Sequence, residues 1–519
     1  MSVTLDRPTA ETPRTADAAT ARILAVPLAG LAILLGAAAG YLATGDMPII
    51  ALLFPLLLLP VLLWRQPRLG MYLLLAAAVT IEQFNYAVGP RAGAVTATIP
   101  FFHGILPAGM NLAEVLMMMT VVVVVMHAVE LRRRWIHSSP VLTMLGAVMG
   151  FVMVYLVLGL ARGGDLTKAL WEVRPFLYLL VSYLLAAALV EGFSAVRPLL
   201  WILVLGSGVK ALYGISIFLS VRYVEPRPEA ILAHEESYLF GLFIITTAAM
   251  WLFRFRDPLR TVATALLPVV LTCNMLNSRR TAWLVLIAGL AVLMVVAVIQ
   301  LRDHRKAVAG VIAAAVLGAG VYLPLFWSQD GTLAQPARAV RSAVAPDSRD
   351  EASNDYRVVE DYNVRVYIGQ SHSMGLGFGR SITYYGLVDL TEISPMLAYV
   401  PHNGVLYLWL RMGAAGVVTF ALFVSQAAIS AVRLSASRHR EAAMMGAITA
   451  AILFGYVAMG STDMGFFWFR NAIVMGTLLG VVDGLARWNR IEHPDRADEG
   501  TASIAPAGAI ELGTARVGV

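Results

Sequence analysis

Long apolar runs separated by short polar connections dominate the chain. A helix that crosses the hydrocarbon of a bilayer needs about 20 mostly apolar residues. Runs that approach this length occur at 22–43, 48–64, 70–86, 111–130, 140–160, 172–191, 196–220, 236–253, 260–277, 281–300, 306–326, 402–430, 441–461 and 464–486. The pattern therefore predicts an all-α, polytopic transmembrane helical bundle of about 12–14 spans.

Three polar segments divide this pattern. Residues 1–21 predict a cytoplasmic N-terminal tail, 487–519 a disordered cytoplasmic tail, and 327–401 one large extracytoplasmic loop between the membrane segments 22–326 and 402–486. The acidic first part of the loop has the composition of a mobile segment, whereas 362–385, rich in aromatic residues and glycine, is predicted to be ordered. Loops of this length are usually functional or disordered.

The composition excludes a soluble globular protein. Of 519 residues, 59% are hydrophobic and only 14% are charged, with a mean hydropathy of +0.73. Soluble domains average roughly 45–50% apolar and about 25% charged residues. Cys273 is the single cysteine, which excludes an intramolecular disulfide, a CxxC redox pair and a cysteine-based metal site.

The net charge of +6 acquires meaning only from the placement of the basic residues. With a cytoplasmic N-terminus, every inner connection is basic, through Arg65, Arg68, Arg132, Arg133, Arg134, Arg197, Arg254, Arg256, Arg260, Arg302, Arg305, Lys306, Arg433, Arg438, Arg440, Arg487 and Arg490. This distribution satisfies the positive-inside rule. We therefore expect both termini in the cytoplasm and the 327–401 loop on the outer side.

Two adjacent arginines lie at one outer membrane boundary, against this bias. The sequence Asn277-Ser278-Arg279-Arg280 lies between two apolar runs that leave no room for a longer loop. One interpretation is interfacial snorkelling, which is common for arginine near a helix end. The other is anion binding, which the unfavourable placement of both cations supports.

A second outer feature combines Asn363 and Arg365 with Gly375, Gly377 and Arg380 in the run GLGFGR. Alternate glycines let a backbone approach a ligand closely, and their amides can face a phosphate or sugar oxygen. A tight turn is the other interpretation and the commoner role of such a run. The strand–turn–helix context of a nucleotide-binding fingerprint is missing from the sequence.

The third feature is Pro401-His402-Asn403-Gly404 at the start of the span 402–430. Proline is common in a first helical turn, so His402 is predicted to lie in that turn, at the outer surface. The helix dipole disfavours imidazolium there, which predicts a neutral His402 suited to general-base catalysis. The alternative is a histidine that only hydrogen bonds to loop backbone.

Further polar residues lie near the outer span ends. They are Glu82, Glu114, Glu172, Arg174, Asp463 and Arg470. Asn111 and Glu114 have the spacing of a helix N-capping pair, so Glu114 is assigned a structural role. Arg174 opens the span 172–191 and is a candidate contact for a lipid headgroup. Arg411 lies nine residues beyond His402, about 13 Å deeper along a straight helix, where arginine is costly without a partner or a wet cavity.

Together these motifs follow a recognisable order. Ser278-Arg279 lies at a span start, Arg365 and the paired glycines lie in a long outer loop, and PHNGVLYLWLRMG opens the next span at Pro401. In this order the region of about 275–415 resembles the superfamily of O-antigen ligases and O-antigen polymerases, which are polytopic membrane glycosyltransferases of the bacterial cell envelope.

The resemblance implies a GT-C-like fold at the bacterial inner membrane and an active site on its outer face. It implies transfer of a glycan from a polyprenyl-pyrophosphate donor, such as undecaprenyl pyrophosphate, to a hydroxyl of a glycan, lipid or protein acceptor. A single displacement of this kind inverts the anomeric centre. His402, Arg279 and Arg365 match the catalytic motif residues of the superfamily.

The substrate-binding candidates are Arg280, Asn403, Gly375, Gly377, Arg380 and Arg174. Guanidinium groups suit a lipid pyrophosphate, because they bind its oxygens bidentately. We expect no metal, no cofactor and no nucleic-acid partner, and the spacing of His372 and His402 gives no support to metal binding.

Two other classes of function remain open. In a polysaccharide or lipid-linked oligosaccharide transporter or flippase, the outer arginines and glycines would line a gated substrate route. Such proteins commonly contain structural repeats and broken helices at the midplane, and the sequence shows no convincing repeat. A membrane scaffold or sensor would not explain why Arg279, Arg365 and His402 share one side.

Overall fold

The computed structural model describes residues 50–83, 99, 101–104, 109–132, 134–224, 230–302, 305–329, 331–386 and 395–492. Within them the secondary structure is helical: α1 (Ile50–Arg65), α2 (Arg68–Thr80), α3 (Leu112–Glu130), α4 (Pro140–Ala161), α5 (Leu166–Leu189), α6 (Phe193–Val221), α7 (Glu236–Leu252), α8 (Pro258–Leu276), α9 (Arg280–Gln300), α10 (Arg305–Phe326), α11 (Gln335–Val344), α12 (Ser348–Gln370), α13 (Gly404–Ser435), α14 (Arg440–Thr462) and α15 (Phe469–Glu492). The chain divides into two compact units, Met1–Leu58 and Leu59–Val519, and the features described below lie in the second.

The predicted polytopic helical bundle is confirmed for the described residues. There, ten helices are long and apolar enough to cross a membrane, namely α3 to α6, α8 to α10 and α13 to α15, while α2 and α7 are shorter apolar helices. The predicted span 22–43 and the predicted tail 1–21 lie outside the described residues. The disordered tail predicted for 487–519 begins too early, because residues 487–492 continue α15, while residues 493–519 lie outside the described residues.

Helices α14 and α15 form the centre of the bundle. In their most apolar stretches 83% and 89% of the residues are buried, against 6% in α10. Helix α15 packs along α5 through Gly476, Gly480 and Gly484, where an added methyl group would overlap backbone oxygens of residues 179–190. Small residues at this spacing let two helix backbones approach closely in a bilayer.

Helix starts follow the predicted capping chemistry in one case and differ in another. The Asn111 side chain accepts from the Glu114 amide at 3.0 Å, and Glu114 accepts from the Asn111 amide at 2.9 Å, which confirms the capping pair. Helix α5, however, begins at Leu166 after the N-cap Asp165, and not near 172. The predicted start was late because charged residues interrupt the apolar pattern of its first turns, so Arg174 lies inside the helix.

The connection between α10 and α13 is folded onto the bundle. The composition of its acidic first part predicts a mobile segment. This prediction is wrong, because residues 348–370 form the 23-residue helix α12. The carboxylate of Asp347 caps α12, and Arg338 of α11 pairs with Asp347 at 3.1 Å and with Asp350 at 3.6 Å. The charges are thus ion pairs between two helices. We call the end of the bundle that carries residues 331–386 and 395–403 the loop face.

Helix α13 is broken at Gly413, whose φ of 68° and ψ of −178° are not helical. The part of the connection just after α12 lies against this break. The Ala414 amide donates to the Ser373 carbonyl at 3.0 Å, and the Leu376 amide donates to the Leu410 carbonyl at 2.7 Å. The segment after the break, 414–435, is still long enough to cross a bilayer.

The half-helix before the break, 404–412, runs along the loop face. At its start Gly404 lies against Gly460, in the last turn of α14. At its end the Arg411 carbonyl accepts the Gly377 amide at 3.1 Å, and Gly377 lies against Gly159 in the last turn of α4. Both ends therefore adjoin the loop-face ends of spanning helices, so the half-helix that carries Arg411 lies along this face, whereas the predicted depth of about 13 Å below His402 assumed a helix that enters the bundle directly.

Arg411 joins α5, α13 and the connection. Its side chain is fully buried, and its Nε lies 2.6 Å from Oε1 of the buried Glu172. Its other nitrogens donate to the carbonyl oxygens of Gly377 at 3.1 Å, Arg380 at 2.7 Å and Tyr399 at 2.6 Å. One guanidinium therefore neutralises a buried carboxylate and holds two parts of the connection against the bundle.

Replacing Arg411 tests this linkage. Arg411→Gln leaves Glu172 without its counter-charge, and we expect a loss of about 3–5 kcal/mol in unfolding free energy. The double variant Glu172→Gln/Arg411→Gln should lose less than the sum of the single losses, because neither residue then leaves a buried charge. Thermal unfolding of the purified protein in detergent measures this, with the exposed Arg256→Gln as control. An Arg411→Gln protein as stable as that control would contradict the linkage.

Candidate active site

His402 forms a hydrogen-bonded pair with a buried carboxylate. It lies just before α13, whose N-cap is Asn403. Its Nδ1 lies 3.1 and 3.0 Å from the two carboxylate oxygens of Glu360, and its backbone amide donates to Oε2 of Glu360 at 2.9 Å. Glu360, on α12, is fully buried. Since a carboxylate only accepts hydrogen bonds, Nδ1 carries a proton, and Nε2 of a neutral His402 is left to accept one.

The pairing also changes the charge predicted for His402. Burial lowers the pKa of His402, but the hydrogen bond to Glu360 and its negative charge, with that of Asp463, outweigh burial and raise the pKa above its ordinary value. The prediction that the helix dipole keeps His402 neutral is therefore corrected, because a carboxylate in direct contact acts more strongly than the dipole.

A second histidine–carboxylate pair lies beside the first. Nδ1 of His234, in the connection before α7, is 2.6 Å from Oδ2 of Asp463, and its ring stacks on Trp468 with centroids 6.0 Å apart. Asp463 ends α14. The next amide, that of Met464, donates to the His402 carbonyl at 2.7 Å, which ties the Asp463 turn to the His402 segment.

Arg279 is held next to the second pair by its neighbours in sequence. Asn277 accepts the amides of Ile231 and Leu232 at 3.2 and 2.8 Å and so fixes the connection that carries His234. Arg279, the N-cap of α9, donates to the Leu232 carbonyl at 3.5 Å. The positive charges of Arg279 and of a protonated His402 both act on His234, so the predicted arginine and the predicted histidine share one site.

Arg357 brings a further positive charge to the pairs from α12, one turn before Glu360. Its charge acts on His402 and on Asp463. Burial raises the pKa of Asp463, but the charge and hydrogen bond of His234, with the charges of Arg357 and His402, hold that pKa below its usual range. Asp463 is therefore a carboxylate surrounded by positively charged groups.

The other two predicted outer arginines have different surroundings. Arg365 lies on α12 with 68% of its side chain exposed and Asp361 4.0 Å away, and Asp361 accepts from Asn403 at 3.1 Å. Arg365 thus lies at the rim of the site, and Asp361 lies between it and the segment that carries His402. Arg280 donates to the side chains of Asn354 and Ser353, each at 3.0 Å. These hydrogen bonds connect α12 to the start of α9.

The glycine run packs against helices instead of forming an anion cradle. The Phe378 amide donates to the Tyr155 carbonyl at 3.1 Å, and the Gly379 amide to the Glu172 carboxylate at 2.6 Å. Gly375 and Gly377 have φ of 80° and 85° and lie against the backbones of α13 and α4. The amides of residues 376–379 thus donate to groups of the protein itself. The alternate glycines do allow a close approach of the backbone, but the backbone approaches other helices and not a ligand.

Arg380 and Arg174 also serve internal contacts. Arg380 donates to the Arg162 carbonyl at the end of α4. Arg174 pairs with Glu114 at 2.8 Å and donates to the Gly109 carbonyl at 2.5 Å, so it joins α5 to the start of α3. Neither contact is with the His402 segment, and the structure does not bring these two residues together with the histidine pairs.

Sequence reasoning missed four residues of the site: His234, Glu360, Arg357 and Trp468. Glu360 and Arg357 belong to the stretch whose composition resembles a mobile segment. Their spacing of three residues on α12, with buried Val364 and Ile368 continuing the same helical face, is the signal that would have identified them. For His234, followed by two glutamates in a short connection, the sequence offers no comparable pattern.

In the described part of the chain no group of three or more His, Cys, Asp and Glu side chains is placed to hold a metal ion. A scan against protein-family models finds no family that matches, and a search of curated proteins finds no match either.

Two glycine substitutions test the packing of the loop. In Gly377→Ala the new Cβ would lie 2.5 Å from the Gly159 nitrogen and 2.8 Å from the Tyr155 oxygen, at a φ of 85°. We expect a loss of at least about 1–3 kcal/mol in stability. Gly369→Ala is the control, because its Cβ meets nothing within 4 Å and α12 should gain helix propensity. Thermal unfolding and protease cleavage between 371 and 400 report the difference, and equal behaviour of the two variants would contradict the packing role.

Proposed function

We propose that the protein is an integral-membrane glycosyltransferase of the O-antigen ligase or polymerase type. It transfers a glycan from a polyprenyl-pyrophosphate donor to an acceptor hydroxyl. The loop face is the outer face of a bacterial inner membrane, and both termini are cytoplasmic, which follows from the positive-inside distribution of the other arginines. The observation that carries the proposal is the contact of His402 Nδ1 with buried Glu360, at 3.0 Å, beside the His234–Asp463 pair on which the charges of Arg279 and Arg357 act.

His402 acts as the general base in this proposal. Its Nε2 takes the proton of the acceptor hydroxyl while the hydroxyl oxygen forms a bond to the anomeric carbon of the donor sugar. Glu360 holds the ring in the reactive tautomer and stabilises the imidazolium that forms, which is how a carboxylate assists histidine in other enzymes.

The arginines act on the other side of the same displacement. The bond between the anomeric carbon and the pyrophosphate oxygen breaks, and its electron pair leaves with the polyprenyl pyrophosphate. Arg279 and Arg357 stabilise the charge that develops on that leaving group, and Arg365 at the rim binds the donor as it enters. One displacement inverts the anomeric centre.

A flippase is the second candidate from the sequence. The two histidine–carboxylate pairs suit the removal of a proton from an acceptor hydroxyl, a step that a transferase requires. The two functions separate in cells that lack the protein: loss of a transferase leaves the translocated donor unreacted at the outer face, whereas loss of a flippase leaves it at the inner face.

Substitution of His402 tests the general-base role. With a purified polyprenyl-pyrophosphate glycan and candidate acceptors, His402→Ala should lower the initial rate of glycan transfer by about 10²–10⁴-fold. The control is His372→Asn, which changes an exposed histidine of the same connection and tolerates its positive φ. Product formation by His402→Ala at the wild-type rate would refute the role.

The pH dependence of transfer tests the role of Glu360. Because neutral His402 is the base, the rate should rise as pH increases through the pKa of His402, which the hydrogen bond to Glu360 raises above its ordinary value. Glu360→Gln removes the carboxylate that raises this pKa, so the midpoint should move to lower pH, with a lower maximal rate. Asp361→Asn is the matched control, since Asp361 bonds to Asn403 and not to His402. A Glu360→Gln midpoint that stays in place or moves upward would contradict the assignment.

A further inference from the structure

A basic cavity of 670 Å³ lies at the end of the bundle opposite the loop face. Its wall includes Arg134 before α4, Arg433 and Arg438 at the end of α13, and Arg487 and Arg490 near the end of α15. Arginines from three segments that are distant in sequence thus line one cavity.

The positive charge of this cavity is poorly compensated. Asp483 is the carboxylate among its lining residues, and it accepts from Tyr183, whose hydroxyl lies 2.8 Å from Oγ of Ser139. In the described part of the chain, Arg134, Arg433, Arg438 and Arg490 form no ion pair. The arginines that line the cavity therefore produce a positive potential that would attract an anion.

Two neighbouring groups reflect or add to this positive potential. Burial, and then the charges of Arg487 and Arg134, lower the pKa of His137 at the cavity wall. The N-terminus of α4, capped by Ser139, also borders the cavity and adds the positive end of a 22-residue helix. The positive-inside rule accounts for arginine in the connections, but it does not require arginines to converge in a cavity.

An apolar cavity of 510 Å³ adjoins the basic one. The two share Arg134, His137 and Arg487 in their walls, and the second is otherwise lined mainly by apolar side chains such as Val124 and Trp135. A basic compartment next to an apolar one matches the two halves of an acidic lipid, and not a soluble anion alone.

We propose that these adjoining cavities bind one acidic phospholipid, with its phosphate headgroup among the arginines and an acyl chain against the apolar wall. Basic pockets between transmembrane helices on the cytoplasmic side bind anionic headgroups in other proteins. The site lies on the opposite face from the histidine pairs, and it does not depend on the proposed transfer reaction.

Lipid binding to the purified full-length protein tests the site. Phosphatidylglycerol and, separately, phosphatidylcholine are titrated into the detergent-solubilised protein, and bound lipid is counted by native mass spectrometry. Arg433→Gln/Arg490→Gln should bind phosphatidylglycerol about 25-fold more weakly, since each arginine near a membrane surface contributes about fivefold. The control, Arg254→Gln/Arg256→Gln, removes two exposed arginines from the same end of the bundle but outside the cavity, and it should bind like the wild type.

Each other outcome overturns the proposal. Equal weakening in both double variants would mean that bulk surface charge attracts the lipid, and equal binding of the two lipids would exclude a headgroup site. Displacement of phosphatidylglycerol by soluble glycerol phosphate would assign the cavity to a soluble phosphate compound. Unchanged melting temperatures of the lipid-free variants show that a loss of binding is not a loss of fold.

Discussion

The buried pair of Arg411 and Glu172 determines how the long connection meets the bundle. An arginine with no exposed surface requires a counter-charge and acceptors for its remaining hydrogens, and here the acceptors are carbonyl groups of the connection. The break at Gly413 admits the chain at this point, and the glycine run lets it lie against α4. The segment that ends at His402 is thereby attached at Tyr399, three residues before the histidine.

The arginines of this protein have three physical roles that their number alone does not distinguish. Arg411 and Arg470 are fully buried and paired with glutamates, where they hold helices together. Arg279 and Arg357 supply positive potential to the two histidine–carboxylate pairs, where the proposed pyrophosphate leaving group needs it. Those at the opposite end line a cavity. Since every guanidinium has the same charge, partners and burial decide which role each one has.

The order of the spanning helices follows from apolar runs, because every backbone group in lipid must bond within its own segment. Their number follows less directly, since about 12–14 spans are predicted and ten described helices are long and apolar enough to cross a membrane. Charged residues were the main source of error. They delayed the predicted start of α5, and they made α12 resemble a mobile segment. In both places the charges have tertiary partners. Glu172 pairs with Arg411, which is distant in sequence, and Asp350 pairs with Arg338, which lies in a separate helix.

The amino-acid sequence alone predicts a helical membrane protein, the position of its long polar connection, and His402, Arg279 and Arg365 as the strongest candidates for chemistry. Only the tertiary structure decided that Glu360 pairs with His402, that His234 and Asp463 form a second pair beside them, and that the glycine run contacts helices. The physical reason is that apolar length is a local property of the chain, whereas the partner of a buried charge depends on how distant segments pack.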